Sequence, residues 1–323
     1  MSNTYFADSS ETRVALIQEA TWGTTPSTPA FKIMRVTGES LSVETETVTG
    51  SELRADRNVA HLINASKATG GSIEMELNHD DVVHLMMESA MQSAFASDKL
   101  INGVTPKSFS MERTFSHTVS GSGTNTFVRH SGMMCDTMAL TMAAGSMITA
   151  SFGFLGKEAT SASAAITGAT YTAASTTPPL SASADFASLT MANITSPKIS
   201  SLSLNTTNNL RRQQGVGVET SVGLGTGRFE VTGSMDFYME NKEVLDDYLG
   251  GTATSLAFTI GAAAGAKYTF TIPTVKFESV TINAGGNDQD VFVSAGWRGL
   301  FNADVDSGTG GSQGGTMMIE RGV

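Results

Sequence analysis

Cysteine is almost absent from this chain of 323 residues, which contains a single one, Cys135. One cysteine excludes an internal disulfide and any zinc site built from several cysteines. Cys135 lies in the apolar stretch GMMCDTMALTM. We therefore interpret it as a small buried hydrophobe rather than as a reactive thiol.

Targeting and membrane-spanning patterns are also missing. The first residues, MSNTYFADSS, have neither the basic nor the apolar region of a secretory signal. No run of 18 apolar residues occurs, so we expect no membrane insertion by this chain. Aromatic residues make up only 7%, but an apolar content of 40% is enough for real cores.

Basic residues are in the minority. Lys and Arg number 20 against 31 Asp and Glu, which gives a formal net charge of −11. A groove that grips nucleic acid requires a basic surface, so this balance argues against one. It does not argue against a surface past which nucleic acid moves without sticking.

Motifs that carry chemistry are missing as well. His79, Asp80, Asp81 and His84 could be read as metal ligands, but a helix start with solvated acids explains them better. The glycine-rich segment 217–227 lacks the spacing and the Lys-Ser/Thr partner of a phosphate-binding loop. No GxSxG elbow or Cys–His arrangement is present. We predict no enzyme, no catalytic residue, no metal and no cofactor.

The chain repeats one pattern at about half its length. GSIEMELNHDDVVHLM begins at Gly71 and GSMDFYMENKEVLDDY at Gly233, an offset of 233 − 71 = 162. Three further pairs follow the same order: SLSVETETV (40–48) with SLSLNTTN (201–208), LTMAAG (140–145) with VTINAG (280–285), and SFGFLG (151–156) with SAGWRG (294–299). The last pair implies a three-residue insertion in the second copy. The common order predicts a tandem duplication.

Each copy is expected to contain a strand, a long polar loop, a second strand, one helix and about four more strands. The first helix has Asn78 as its expected N-cap and Asp81 three residues later. The second helix is expected over 242–249 and is stopped by the glycine pair at 250–251. One helix against many strands predicts a mainly β fold of two tandem sandwich or partial-barrel domains, each with one flanking helix.

Composition predicts the domain boundaries. We expect a first domain over 1–157, a linker over 158–188, a second domain over 189–300 and a Gly-rich C-terminal arm over 301–323. The linker region is rich in Ser, Thr and Ala and has almost no charge or large apolar side chain. In the arm, residues 316–320 are expected to form a short strand that adds to a sheet edge.

Acidic side chains recur on one face of the predicted strands. They are Glu44, Glu46, Glu74, Glu76, Glu230 and Asp236. For an isolated β-domain, an ordinary solvent-exposed face is the simpler explanation.

Four stretches carry a resemblance to a known family. They are ETRVALIQEATWGTTPSTPAFKIMRVTGESL (11–41), ETVTGSELRADRNV (46–59), KSFSMERTF (107–115) and FVRHSGMMCDTMALTMAAGSMITASFGFLGK (127–157). Together they resemble the tail tube (major tail) proteins of long-tailed bacteriophages. The second half matches chiefly through its similarity to the first. Many members carry a single tube domain, whereas this chain is expected to hold two.

The resemblance implies a self-assembling structural subunit. Tail tube subunits form stacked rings whose strands join into one β-barrel around a channel for DNA ejection, and single-domain members make rings of six. Two copies per chain therefore imply trimeric rings with pseudo-sixfold symmetry. The implied partners are other copies of the chain, the tape measure, tail terminator and tail-tip proteins, and viral DNA passing without specific binding. The implied location is the virion tail, assembled in the host cytoplasm.

The resemblance also gives the charged residues roles. The six strand acids become candidates to line the lumen, where carboxylates offer DNA phosphates no ligand. The loop over 50–70 is expected to reach the neighbouring ring, and 205–227 is its counterpart. Candidates for inter-ring ion pairs are Glu52, Arg54, Asp56, Arg57, Arg211 and Arg212.

Other functions remain open at this point. A secretion-system tube subunit shares the fold, and a neighbouring tape-measure gene would separate the two. A surface-layer protein or a porin would usually need export, of which the N-terminus gives no sign. A tail-associated hydrolase would need a pair of catalytic carboxylates, and the sequence shows no context for such a pair.

Overall fold

The computed structural model describes residues 7, 9–116, 125–261, 265–306 and 313–322. The described chain is mainly β with two α-helices, and its main sheet stays open rather than closing into a barrel. This confirms the predicted fold class. We refer to the elements β1 to β11 as the first unit and to β12 to β20 as the second unit.

The first unit opens with a short 3-10 turn at Ser9–Glu11 and contains one α-helix, α1, at Asp81–Ala90. Its strands are β1 Arg13–Gln18, β2 Ala30–Ile33, β3 Gly38–Glu39, β4 Ser42–Thr49, β5 Leu62–Glu76, β6 Lys99–Ile101, β7 Ser108–Phe115, β8 Thr126–Ala143, β9 Thr149–Gly156, β10 Glu158–Ala162 and β11 Thr170–Thr172.

The second unit also contains one α-helix, α2, at Glu243–Gly250. Its strands are β12 Phe186–Met191, β13 Ile199–Thr207, β14 Arg211–Gln213, β15 Gly223–Gly225, β16 Glu230–Tyr238, β17 Thr254–Ile260, β18 Tyr268–Asn283, β19 Phe292–Gly299 and β20 Met318–Arg321.

The two units share one strand order. In the first, neighbouring strands run β1, β7, β8, β9, β5, β4. In the second, they run β12, β17, β18, β19, β16, β13. Every pairing in both series is antiparallel. The helix of each unit follows the fifth strand of its series in the chain, β5 in the first unit and β16 in the second. The two units therefore have the same topology.

The register of the strands repeats as well. Gly71 lies opposite Phe154, and Gly233 lies opposite Trp297. The offsets 233 − 71 = 162 and 297 − 154 = 143 are those of the sequence pairs that begin at Gly71 and at Ser151. We call residues that occupy the same place in both units equivalent.

Two of the predicted sequence alignments are out of register by two residues. The structure makes Ser40 equivalent to Ser203, not Ser201, and Leu140 equivalent to Ile282, not Val280. In alternating strands a shift of two keeps every side chain on its face, so the pattern alone does not reveal it. The insertion before β19 is consequently one residue (143 − 142), not three.

The core lies between the sheet and the helices. Buried residues alternate along the strands, as in β19, where Val293, Ala295 and Trp297 point inward. Helix α1 buries a stripe that includes Val83 and Met87 because residues three and four apart share a helix face. One contiguous apolar cluster spans both units.

The helix ends differ in how well they follow the prediction. Helix α2 begins at Glu243 and ends at Gly250, followed by Gly251 with φ 60°, a left-handed C-cap that favours glycine. For α1 the prediction was wrong, because Asp80, not Asn78, occupies the N-cap position. Asn78 is instead buried in a β-bridge to Pro179.

The segment predicted to be a linker contributes strands to the sheet. β10 pairs with β8, and β11 runs parallel to β2, where the Tyr171 ring stacks on Phe31 with centroids 5.5 Å apart. Small polar side chains give no apolar periodicity, but their backbone groups still add to a strand edge. In the C-terminal region, β20 pairs with β6 of the first unit and β18 of the second.

Candidate functional site

Eight strands form one antiparallel run that crosses both units. Their order is β4, β5, β9, β8, β13, β16, β19, β18, and the link between units is the pairing of β8 with β13. Side chains alternate between the two faces of a strand. Ile73, Phe152 and Leu204 mark the face that is buried in the core. We call the opposite side the polar face.

All six predicted strand acids lie on the polar face. Glu74 and Glu76 alternate with the buried Ile73 and Met75, and Glu44 and Glu46 continue the same face on β4. In the second unit, Glu230 and Asp236 alternate with the buried Val231, Met235 and Phe237. The sequence pattern thus grouped these carboxylates on one side of one sheet.

The carboxylates differ in their surroundings. Glu74 and Glu76 are exposed. Asp236 accepts hydrogen bonds from the hydroxyls of Ser201 at 2.6 Å and Ser294 at 2.7 Å. Glu46 accepts one from Ser66 at 3.0 Å.

Two of the acids have arginine partners. Arg228 and then Arg298 hold the pKa of Glu230 below its usual value through hydrogen bonds. Arg298 lies on the same face, as does Lys276, so the polar face is predominantly but not uniformly acidic. Glu44 pairs with Arg212 at 3.1 Å.

The run of eight strands ends in two open edges. Within the described residues, β4 pairs along its length only with β5, and residues 276–283 of β18 pair only with β19. Val43 on β4 is 51% exposed and Ile282 on β18 is 41% exposed. Open edges with exposed apolar side chains are hazardous for a lone protein and typical of strands that pair with another chain.

An ion pair covers part of the β4 edge. The Glu39 carboxylate accepts the backbone N–H of Leu41 at 2.9 Å, and Arg113 donates to the Leu41 carbonyl at 2.6 Å. Arg113 and Glu39 also bond to each other at 2.5 Å. Both outward backbone groups of Leu41 are therefore occupied by one salt bridge, which the sequence alone did not indicate.

The loop predicted over 50–70 is shorter than expected. Residues 62–70 belong to β5 and pair with β4, so the two strands form a long exposed hairpin arm that ends in a loop at 50–61. Both strand faces are exposed there, so no apolar alternation marked it in the sequence. Leu53, Val59, Leu62 and Ile63 are exposed along the arm.

The predicted ion-pairing residues of this loop interact with each other. Arg54 donates two hydrogen bonds to Asp56, at 2.9 and 2.8 Å, and this contact lowers the pKa of Asp56 to about 2. Glu52 lies 4.0 Å from the His61 ring. Arg57 has a left-handed backbone, with φ 59°.

The counterpart loop folds back onto the first unit. Arg211 and Arg212 lie on β14, which pairs with β15. Arg212 reaches Glu44 and donates to the Thr69 carbonyl at 2.7 Å. Lys67 pairs with Glu219 at 2.6 Å. This loop therefore holds the two units together within one chain.

A buried charge cluster in the first unit had no sequence signal. The Glu112 carboxylate is fully buried and accepts hydrogen bonds from Arg129 at 2.8 Å and the Tyr171 hydroxyl at 2.5 Å, with Arg13 3.6 Å away. Burial and then the bond to Glu112 raise the pKa of Tyr171 to about 12. The cluster ties β11 to β7 and β8, a structural role.

The candidate metal residues form an aromatic cluster instead. The His84 ring contacts the rings of His79 and Tyr268, with centroids 4.7 and 5.6 Å away. Among the described residues, no three His, Cys, Asp or Glu side chains converge to hold a metal ion. Cys135 is buried, as predicted, and burial raises the pKa of its thiol. In the same part of the chain, no helix is long and apolar enough to span a bilayer.

A family model described as "Phage tail tube protein" matches residues 9–299, from the first 3-10 turn to the end of β19. The match thus covers the first unit, the second unit except β20, and the run of eight strands. No curated protein matches the chain.

Proposed function

The chain belongs to the phage tail tube protein family, and we propose that it forms the DNA-conducting tube from stacked rings of three chains. Membership makes it a structural component of the virion tail that assembles with other tail proteins. In this proposal the lumen is lined by acidic side chains and conducts viral DNA into the host.

The open run of eight antiparallel strands is the observation that carries this proposal. Both units contribute four strands in the same order, and β8–β13 joins them. The repeated topology supports a tandem duplication, with each unit taking the place of one single-domain subunit. Three chains supply six such units and 3 × 8 = 24 strands.

A closed wall of 24 strands leaves a wide channel. Strands spaced ~4.8 Å apart and tilted by ~40° give a wall roughly 150 Å around, or about 48 Å in diameter between backbones. Barrels of 16–18 strands already enclose an aqueous channel. The proposed ring is therefore large enough for side chains and a DNA duplex.

The polar face is the side of the wall that suits the lumen. Its opposite side is buried under the apolar core and the two helices. In the proposed tube the helices therefore lie on the outside. DNA carries one negative charge per ~1.7 Å of axis. Glu74 and Glu76 face that charge with carboxylates, which cannot bind phosphates. Because no counterions are released from the DNA, nothing drives binding and the DNA slides past.

In the proposed tube, the exposed hairpin arm of β4 and β5 makes the contacts between stacked rings. Its loop carries Glu52, Arg54, Asp56 and Arg57, and exposed apolar side chains line its strands. The Arg54–Asp56 pair can open to exchange partners with another ring. Arg212 holds its own chain together, which leaves Arg211 as the candidate from the second unit.

Tail tubes of this family imply the following assembly. The rings assemble in the host cytoplasm around a tape measure protein and end at terminator and tail-tip proteins. We assign no catalytic role. A secretion-system tube is the second candidate, and it would lack a tape-measure gene nearby and packaged DNA at its end.

Negative-stain electron microscopy of the purified chain, alone and with its tail partners, tests the proposal. We expect uniform hollow tubes with a regular axial repeat. Compact particles that never polymerise under either condition would overturn it.

A further inference from the structure

The seam between neighbouring chains can be specified to the residue. We propose that β18 of one chain pairs antiparallel with β4 of the next, with Val280 opposite Val43 and Thr281 opposite Ser42. This inference rests on the proposed tube. The Glu39–Arg113 ion pair covers this edge of β4 until the neighbour arrives.

The template for this seam is the contact between the two units of one chain. There, β8 pairs with β13, and Leu140 lies opposite Leu204, Ala139 opposite Asn205 and Met138 opposite Thr206. The N–H of Asn208 bonds to the carbonyl of Asp136 at 2.8 Å and continues this ladder. A ring of equivalent units closes if the same contact is repeated between chains.

Strand β4 is the equivalent of β13. The Oγ atom of Ser40, which precedes β4, lies 2.9 Å from that of Ser72 on β5. The Oγ atom of Ser203 on β13 lies at the same distance, 2.9 Å, from that of Ser234 on β16. In both units the hydroxyl of the first serine also accepts the backbone N–H of the second. The offset is therefore 203 − 40 = 163, which makes Ser42 equivalent to Asn205.

Strand β18 is the equivalent of β8. Each contains a bulge at the same place, at Asp136 in one and Glu278 in the other. The residue after each bulge, Thr137 or Ser279, places its hydroxyl where a side chain on the opposite glycine would go. The offset is 279 − 137 = 142, which makes Thr281 equivalent to Ala139.

The register of the seam follows when 163 is subtracted from each residue number on β13 and 142 is added to each residue number on β8. Asn205 opposite Ala139 becomes Ser42 opposite Thr281, and Leu204 opposite Leu140 becomes Leu41 opposite Ile282. The remaining pairs are Ser40 with Asn283, Val43 with Val280 and Glu44 with Ser279.

Burial supports the pairing of these edges. In the internal contact, Met138, Leu140 and Leu204 are fully buried and Thr206 is 2% exposed. At the open edges, the equivalent Val43 and Ile282 are 51% and 41% exposed. Docking β18 on β4 covers these side chains on the core side and satisfies the outward backbone groups of both strands.

The ion pair explains why the same edge does not pair at random. Glu39 and Arg113 occupy the N–H and the carbonyl of Leu41, the groups that Ile282 of the next chain has to reach. The equivalent positions in the second unit hold Leu202 and Phe258, and there the edge is already paired. Charge is thus present only where the edge is open, a known protection against strand addition.

Disulfide trapping in the full-length chain tests the register. Ser42 and Thr281 are exposed, and they map to a pair that does not exchange backbone bonds, where side chains lie closest. We expect Ser42→Cys with Thr281→Cys to cross-link assembled chains into covalent rings of three on a non-reducing gel. The two sites lie on opposite outer strands of the run, so the cross-link has to join chains. Buried Cys135 can stay in place.

Two matched pairs serve as controls. Glu44→Cys with Asn283→Cys uses the same strands and face four residues out of register, and it should remain uncross-linked. Asn205→Cys with Ala139→Cys should form a disulfide within one chain, because those residues face each other directly. This pair also shows that cysteines are tolerated at such positions.

The outcomes separate the seam from the proposed function. Wild-type tubes together with the 42–281 cross-link support both. If wild-type tubes form, but the assembled 42–281 variant stays reduced or the assembled 44–283 variant cross-links, the seam is overturned and the proposed tube is not. If a double-cysteine variant fails to assemble, electron cryomicroscopy of wild-type tubes reads the same register directly, and any other strand against β4 overturns it. A wild-type chain that forms no tubes overturns the proposed function itself.

Discussion

The carboxylate of Glu39 accepts the backbone N–H of Leu41, 2.9 Å away on the open edge of the sheet, where another strand could otherwise bind. We expect Glu39→Leu, which installs the residue found at the equivalent Leu202, to shorten the lag before polymerisation. A hydrogen bond to a charged group contributes about 1.5–3 kcal/mol, so the change should be about tenfold or more. Light scattering against time measures the lag.

The matched control is Glu46→Leu, which removes an exposed carboxylate from β4 without touching the Leu41 backbone. It should leave the lag almost unchanged. A Glu39→Leu chain that remains folded but polymerises no faster would show that the ion pair does not guard the edge.

Lumen charge should control how DNA interacts with the tube. Replacing Glu74 and Glu76 by Lys should leave tubes intact but make them retain short duplex DNA, which wild-type tubes release. Each added phosphate contact steepens the dependence of log K on log salt by about 0.9. A salt series of DNA binding to open-ended tubes provides the measurement.

Glu240→Lys with Asp246→Lys changes the net charge equally but outside the eight strands, because Glu240 lies between β16 and α2 and Asp246 lies on α2. This control should bind little DNA inside the tube. Equal retention by both variants would argue against a lumen lined by Glu74 and Glu76.

The buried Glu112 should be essential for stability. Glu112→Gln leaves Arg13 and Arg129 without a compensating carboxylate, and breaking a buried charge pair costs about 3 kcal/mol or more. The thermal unfolding midpoint should therefore fall by several degrees. Lys242→Gln, which removes an exposed pair with Asp246, should hardly change it, and the opposite ranking would contradict this role.

Acid should destabilise the fold through two histidines. Burial, followed by nearby charge, lowers the pKa of both His84 and His130 to about 4. The unfolded chain, with pKa near 6.5, binds the protons first, so stability falls as pH drops from about 6.5 to 4. Each histidine contributes at most about 3 kcal/mol to this loss.

His130→Gln isolates one of these contributions. The variant cannot take up the proton, so the loss of the thermal midpoint between pH 7 and pH 4 should be smaller than in the wild type. The Gln side chain can keep the contact to Thr69, which the His130 ring makes at 2.6 Å. An unchanged pH dependence would assign the acid sensitivity to other groups.

The sequence revealed the repeat but not its register at every strand. Gly71 and Gly233 mark a backbone that closely approaches Ser40 and Ser203, and glycine is required there in both units. Such positions align well from sequence. The strands around Ser40 and Leu140 carry alternating small side chains, and a slip of two residues changes no face, so their alignment failed.

The polar features of the fold were harder to foresee. Glu39 and Arg113 are 74 residues apart in the chain. Arg113 lies on β7, which pairs with β1, and only the folded sheet brings it to Leu41. Tyr171 sits in a segment whose composition indicated a linker, yet it closes over Glu112. Long-range pairing of single charged residues leaves no periodic trace in a sequence.

The decisive measurement is a helical reconstruction of the assembled tube by electron cryomicroscopy, which shows how many chains form one ring. We expect rings of three chains whose walls contain 24 strands, with the first and second units alternating around the ring. Rings of six chains, or a wall in which the two units do not occupy equivalent places, would contradict it.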